Sequence, residues 1–122
     1  MPKKKVLFVD DSGSIRTLVK MILEEAGYDV VTGSDGEDAL QYLNGQHLDL
    51  VITDLHMPRM NGLELIEEIR KQKAYRFVPI LFLTTETHPE LKRKAKAAGA
   101  TGWITKPFDK EKLLQIIKKV IR

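Results

Sequence analysis

Residues 6–34 read VLFVDDSGSIRTLVKMILEEAGYDVVTGS, and this stretch decides the fold. Four consecutive apolar residues, Val6–Val9, stop at Asp10-Asp11. A short unbroken run of this kind fits a strand buried on both faces of a parallel sheet. Ile15, Leu18, Val19, Ile22 and Leu23 then recur at i, i+3, i+4, i+7 and i+8, the stripe of an amphipathic helix. Gly27 follows where a C′ glycine belongs, and Val30-Val31 forms a second short run that ends in Thr32-Gly33-Ser34. Strand, helix and strand in this order make one parallel crossover unit.

The same alternation continues to the end of the chain. Leu50–Ile52, Ile80–Leu83 and Trp103-Ile104 are further short apolar runs. Between and after them, Ala39-Leu40-Leu43, Leu63-Leu65-Ile66-Ile69, Leu91-Ala95-Ala98 and Leu113-Ile116-Ile117-Val120 carry helical spacing. Asp35, Asn61 and Asp109 suit N-caps, Gly99 suits a helix end, and Pro58, Pro79, Pro89 and Pro107 fall at boundaries. The pattern predicts an α/β fold: a single doubly wound parallel sheet of five strands, with five helices on its two faces and right-handed crossovers.

With 122 residues, no low-complexity stretch and no linker-like run, one domain is expected over residues 1–122. The absence of cysteine excludes disulfides, thiolate metal sites and thiol catalysis. No apolar run approaches the roughly 20 residues of a membrane span, and the basic start Met1–Lys5 is followed by too short an apolar stretch for a signal peptide. A cytoplasmic protein is expected, with no membrane partner. The net charge is +3, but 17 acidic residues are mixed among 20 basic ones, which reads as a solvated surface rather than a nucleic-acid footprint.

In doubly wound sheets the functional groups collect at the carboxyl ends of the strands. Here the first run ends in Asp10-Asp11, the third in Thr53-Asp54, the fourth in Thr84-Thr85 and the fifth in Thr105-Lys106. Carboxylates brought together in this way repel one another unless a cation neutralises them, and hard oxygen ligands at an open site suit Mg²⁺. A carboxylate can also act as a nucleophile and form an aspartyl phosphate. Lys106 and the Thr84 hydroxyl are the right groups to meet phosphoryl oxygens. Other schemes lack their signatures: there is no GxxxxGK[ST] loop, no GxGxxG after a strand and no GxSxG elbow. His47, His56 and His88 are far apart with no metal spacing, and read as surface or loop residues.

The chain resembles a response-regulator receiver domain of the CheY-like type over its whole length. The resemblance rests on VDDS (Val9–Ser12), TDLHMPRMNG (Thr53–Gly62), LTTE (Leu83–Glu86), GATGW (Gly99–Trp103) and KPF (Lys106–Phe108), in matching order and at matching distances. It implies a flavodoxin-like strand order, 2-1-3-4-5. It also implies Asp54 as phosphoacceptor, and Mg²⁺ as cofactor on Asp11 and Asp54, with Asp10 acting largely through water and the His56 backbone carbonyl as a further ligand. Lys106 would bind one phosphoryl oxygen and Thr84 would move inward to another. Trp103 stands where the family has a switch aromatic, commonly Tyr or Phe, and is bulkier than either. His56 and Glu86 occupy positions that tune autodephosphorylation in the family, and the Lys106-Pro107 bond is expected to be cis.

The resemblance also implies partners. A histidine kinase, most closely a chemotaxis kinase of the CheA type, is the expected phosphodonor. A flagellar motor switch protein is the expected target, and a phosphatase a possible third partner. A receiver without an attached output domain is expected, with output through a separate protein, from a monomer. The face formed by the fourth helix, fifth strand and fifth helix carries Lys92, Arg93, Lys94, Lys96, Lys110, Lys112 and Lys118, which reads equally as a solvated surface or as a basic docking face. Two alternatives stand beside this reading: a stand-alone phosphorelay intermediate, and an aspartyl-phosphate phosphatase. The phosphatase chemistry generally needs a second carboxylate two residues after the nucleophile, where this chain has His56. An enzyme is therefore not expected.

Overall fold

The apolar run that begins the chain forms strand β1, Lys5–Val9, and the stripe behind it forms helix α1, Gly13–Glu25, in a computed structural model that describes residues 3–121. The order continues as β2 (Asp29–Gly33), α2 (Gly36–Leu40), β3 (Leu50–Thr53), α3 (Gly62–Lys71), β4 (Ile80–Thr84), α4 (Pro89–Ala98), β5 (Gly102–Thr105) and α5 (Lys110–Val120). A single 3-10 turn, Lys73–Tyr75, lies between α3 and β4. All strand pairs are parallel, in the order β2-β1-β3-β4-β5, which is the flavodoxin-like arrangement.

Alternation along the strands divides the core in two. Leu7, Val9, Val51, Ile80 and Phe82 face one side, against Ala39, Leu65, Ile66, Ile69 and Ala95 from α2, α3 and α4. Val6, Phe8, Leu50, Ile52, Leu81, Leu83 and Ile104 face the other, against Val19 and Leu23 of α1 and Leu113 and Ile117 of α5. Strands buried on both faces explain the unbroken apolar runs of the sequence. Thr53 and Thr84 extend β3 and β4 by one residue beyond the apolar letters, and both are fully buried.

The caps follow the expected chemistry. Asp35, Asn61 and Asp109 accept from backbone N–H groups at the starts of α2, α3 and α5, and Asn61 with Glu64 completes a capping box. Gly99 ends α4 in the left-handed region at φ 114°. The spacing Ala39-Leu40-Leu43 predicts a helix through Leu43, but α2 stops at Leu40. Tyr42 and Leu43 donate three residues back, to Ala39 and Leu40, so the chain tightens into turns there. Leu43 remains buried. Among the described residues no helix is long and apolar enough to cross a membrane.

The strand order reverses beside β1, which pairs with β2 on one side and β3 on the other. Register brings Val9 level with Gly33 and Thr53, so the residues that follow β1 and β3 emerge together at this switch point.

Candidate functional site

One further rung of backbone hydrogen bonding carries the sheet past its strands. Asp10 N donates to Gly33 O at 3.1 Å and Asp54 N donates to Val9 O at 2.9 Å, so both aspartates are fixed by the backbone. Arg16, one turn into α1, donates to the Asp10 carbonyl at 2.6 Å. The Asp10 side chain is buried. Its Oδ1 accepts from Ser12 N at 2.9 Å and its Oδ2 accepts from Lys106 Nζ at 2.7 Å. Asp54 Oδ1 accepts from Leu55 N at 2.7 Å, and its Oδ2 accepts from the same Lys106 Nζ at 3.0 Å. Asp11 is exposed, and oxygens of Asp10, Asp11 and Asp54 all lie within 4.8 Å of one another.

Lys106 follows β5, with its N–H on Thr84 O at 2.8 Å and a cis bond to Pro107, as the resemblance implies. The ammonium therefore crosses from the β5 edge to reach carboxylates after β1 and β3. Burial pushes Asp10 above the usual carboxylate range, although the bonds from Lys106 and Ser12 oppose it. Burial alone would lower Lys106, but its hydrogen bonds to Asp10 and Asp54 outweigh this and hold it above the ordinary lysine value. The two directions compete, because a protonated Asp10 would deprive Lys106 of its nearest partner. The shared ammonium, at 2.7 and 3.0 Å from two carboxylate oxygens, favours the ionised form of both partners and so opposes the effect of burial on Asp10.

The other singled-out residues lie around this cluster. Thr84 is fully buried, and its Oγ1 accepts from Glu86 N at 3.2 Å within its own loop. Trp103 is half-buried on the α3–α4 side, 5.5 Å from the Phe82 ring. Its Nε1 donates to Glu86 O at 3.0 Å, and Lys92 Nζ lies 5.7 Å from the ring centroid. The three histidines stay apart, as their spacing predicts, but each has a partner. His47 faces Asp49 at 2.8 Å, His88 Nδ1 accepts from Glu90 N at the start of α4, and the exposed His56 ring meets Glu86 at 3.4 Å.

The resemblance marks Glu86 only as a tuning position; its contacts are what sequence reasoning missed. Its carboxylate accepts from the backbone N–H groups of Thr87 and His88 and faces His56, while its carbonyl takes the Trp103 indole. The bond from His88 N and the His56 ring hold its carboxyl below the usual range. It thus joins the loop after β3 to the loop after β4 at the mouth of the site. Arg59, at φ 65°, makes a comparable tie by donating through Nε and Nη2 to the buried Asp35. Both are contacts over 24 residues or more, for which local sequence carries no signal.

A carboxylate-and-lysine cluster at the switch point of a 2-1-3-4-5 sheet matches known proteins. The profile of the response regulator receiver domain covers residues 6–118. The chain belongs to the response regulator receiver domain family. In structure it is similar to the Vibrio cholerae chemotaxis protein CheY4, with 48% identity and a TM-score of 0.95, covering 98% of this chain and 100% of that one. It also resembles the receiver domain of the sensor histidine kinase PA1611 from Pseudomonas aeruginosa, at 28% identity and a TM-score of 0.89, with 98% of each chain covered. That structure has a magnesium ion coordinated in its active site cleft. In sequence it is 39% identical over 119 residues to the alkaline phosphatase synthesis transcriptional regulatory protein PhoP of Bacillus subtilis, matching 98% of this chain. This receiver spans 49% of that relative's length.

Proposed function

We propose that this receiver is a phosphorylation-controlled protein-binding switch, with Asp54 as the acceptor and a histidine kinase as the donor. The observation that carries the proposal is the shared ammonium: Lys106 Nζ joins Asp54 to Asp10 in a cluster where a third carboxylate is open to solvent. Asp54 is nearly buried yet reachable, and its Oδ1 is oriented by Leu55 N–H. In the transfer, an Asp54 oxygen forms the new P–O bond as the P–N bond to the donor imidazole breaks. Lys106 then holds a phosphoryl oxygen, and Thr84 leaves Glu86 N–H to hold another.

The donor set fits Mg²⁺. Three carboxylates, two of which already share one ammonium, are hard oxygen ligands with an open side at Asp11. Asp11, Asp54 and the His56 carbonyl would hold the ion, with Asp10 acting largely through water. When bound, the ion would neutralise the charge that builds on the phosphoryl oxygens. An apolar groove of about 680 Å³, lined in part by Ile15, Leu18, Phe108 and Lys106 itself, offers a donor protein a surface beside the lysine that contacts Asp54.

Residues 1–122 act as one receiver unit in the cytoplasm, on this reading as a monomer. Output passes through the face of α4, β5 and α5, where Lys92, Arg93, Lys94, Lys96, Lys110, Lys112 and Lys118 are all exposed. The similarity to a chemotaxis protein supports a CheA-type kinase upstream and a flagellar motor switch protein downstream. The residue two after Asp54 is His56 rather than a second carboxylate, which disfavours a phosphatase. Phosphotransfer profiling of the purified chain against the histidine kinases of its source tests the proposal. Rapid, Mg²⁺-dependent labelling by one kinase is expected; no labelling by any of them would overturn it.

A further inference from the structure

We infer that the amino-terminal edge of the sheet carries a separate docking groove, shaped for an acidic segment with an apolar side chain from a partner protein. The groove, about 600 Å³, lies between the residues that lead into β3, the segment that leads into β4, and the end of α5. It is at the opposite end of the strands from Asp10 and Asp54, and the inference rests on no part of the phosphorylation reading.

Phe77 stands at its rim with 88% of its surface exposed, against 40% and 50% for Leu18 and Met21, the other exposed large apolar residues among those described. Its neighbours are held firmly. Tyr75 is buried, donates its hydroxyl hydrogen to Gln46 O at 2.7 Å and accepts from Gly45 N at 3.0 Å. Arg70 donates to the carbonyls of Tyr75 and Arg76 through Nη1 and to Gly99 O through Nη2. Val78 is buried on the other side. The ring is thus displayed by a fixed backbone, so a partner that covers it has only the side chain to order. Exposed aromatic side chains next to a pocket are common anchors of an interface.

Charge selects the occupant. Lys73 and Lys119 line the groove, are exposed, and make no ion pair among the described residues. Asp49 is the acid in the lining, and it is already engaged by Lys5 N at 2.7 Å and His47 at 2.8 Å. The groove therefore presents uncompensated positive charge beside the apolar surface of Leu48, Val78 and Phe77. A bilayer surface is flat and leaves a concave groove unfilled. A second copy docked symmetrically sets this basic patch against the same basic patch. An acidic segment that inserts one apolar side chain beside Phe77 meets both the shape and the charge.

Random-peptide display against the full chain tests this, with the enriched peptide then synthesised and its affinity read by fluorescence anisotropy. Peptides that combine acidic residues with an aromatic or aliphatic one are expected. Binding should weaken roughly tenfold or more in Phe77→Ser and in the Lys73→Glu, Lys119→Glu double variant, and be unchanged in Asp54→Asn. If Phe77→Ser alters the circular dichroism spectrum, the charge-reversed variant alone carries the comparison. No enrichment, or peptides that bind all variants equally, would overturn the inference. So would binding to phosphatidylserine vesicles, or dimerisation by sedimentation, that is lost in the same variants.

Discussion

Replacing Lys106 with methionine should destabilise the protein and make its stability depend on Mg²⁺ and on pH. The side chain keeps its apolar reach and loses only the ammonium. That ammonium lies 2.7 Å from Asp10 Oδ2 and 3.0 Å from Asp54 Oδ2. At an effective dielectric near 20 each contact is worth about 5–6 kcal/mol of Coulomb attraction, most of which the desolvation of three charges offsets. Removing one partner of a buried ion pair leaves the other uncompensated and costs about 3–5 kcal/mol. Lys106 is 14% exposed at its side chain, so solvent takes up part of the loss and about 2–3 kcal/mol is expected at pH 7. The pH dependence follows from Asp10. Its folded-state pKa is raised by burial, so it favours the folded state below the ordinary aspartate value and loses that contribution as pH rises through the folded value. Without Lys106 the value rises further, and the variant should recover part of its loss as pH is lowered toward 5. Urea unfolding of both proteins at pH 7 and pH 5, with and without Mg²⁺, reads all three effects. Mg²⁺ should stabilise the variant more than the parent, because it replaces the missing countercharge. A variant as stable as the parent, or a loss indifferent to both Mg²⁺ and pH, would refute the reasoning.

Three further outcomes are expected. Gly62→Ala should lower stability by about 2–3 kcal/mol in urea unfolding, since overpacking here meets rigid neighbours: a Cβ would lie 2.6 Å from Phe82 Cε1 and 3.1 Å from Leu55 Cα, beside the Asp54 backbone. Asp35→Ala should cost about 1 kcal/mol or more at pH 7 by removing a helix cap and the partner of Arg59. The bond from Asp38 N and the Arg59 guanidinium hold the Asp35 carboxyl below its usual range, so the difference between parent and variant should vanish as pH falls through that lowered value. Trp103 donates to the carbonyl of Glu86, whose N–H rests on the Thr84 hydroxyl, so moving Thr84 moves the partner of the indole. A beryllofluoride-type phosphoryl mimic with Mg²⁺ should change tryptophan emission and acrylamide quenching, and Thr84→Ala should reduce the change; an unaltered spectrum would make Trp103 a cover for the sheet only.

The architecture was legible because strands buried on both faces write short unbroken apolar runs. Val6–Val9 and Ile80–Leu83 fall within one residue of β1 and β4. Thr53 and Thr84 escaped the strand reading because they are polar, though each hydroxyl is satisfied within one or two residues and the side chain can be buried. Asp10, Asp54 and Lys106 could be placed at one edge from strand ends alone, and the structure brings them into direct contact. What stayed hidden depends on loop conformation. The short α2, the His56–Glu86 and Arg59–Asp35 ties and the exposed Phe77 are set by how turns approach one another. No periodicity records that approach. Phe77 in particular reads as one more apolar residue before β4, and only the fixed positions of Tyr75 and Val78 turn it outward.

The central claim is that Asp54 accepts a phosphoryl group with the help of the carboxylates and Lys106. Intact-mass measurement of the chain after incubation with acetyl phosphate and Mg²⁺ tests it most directly. The mass should rise by one phosphoryl group, the gain should disappear on Mg²⁺ chelation, and Asp54→Asn should show no gain. Labelling of Asp54→Asn at the parent's rate, or no labelling of the parent, would contradict the account.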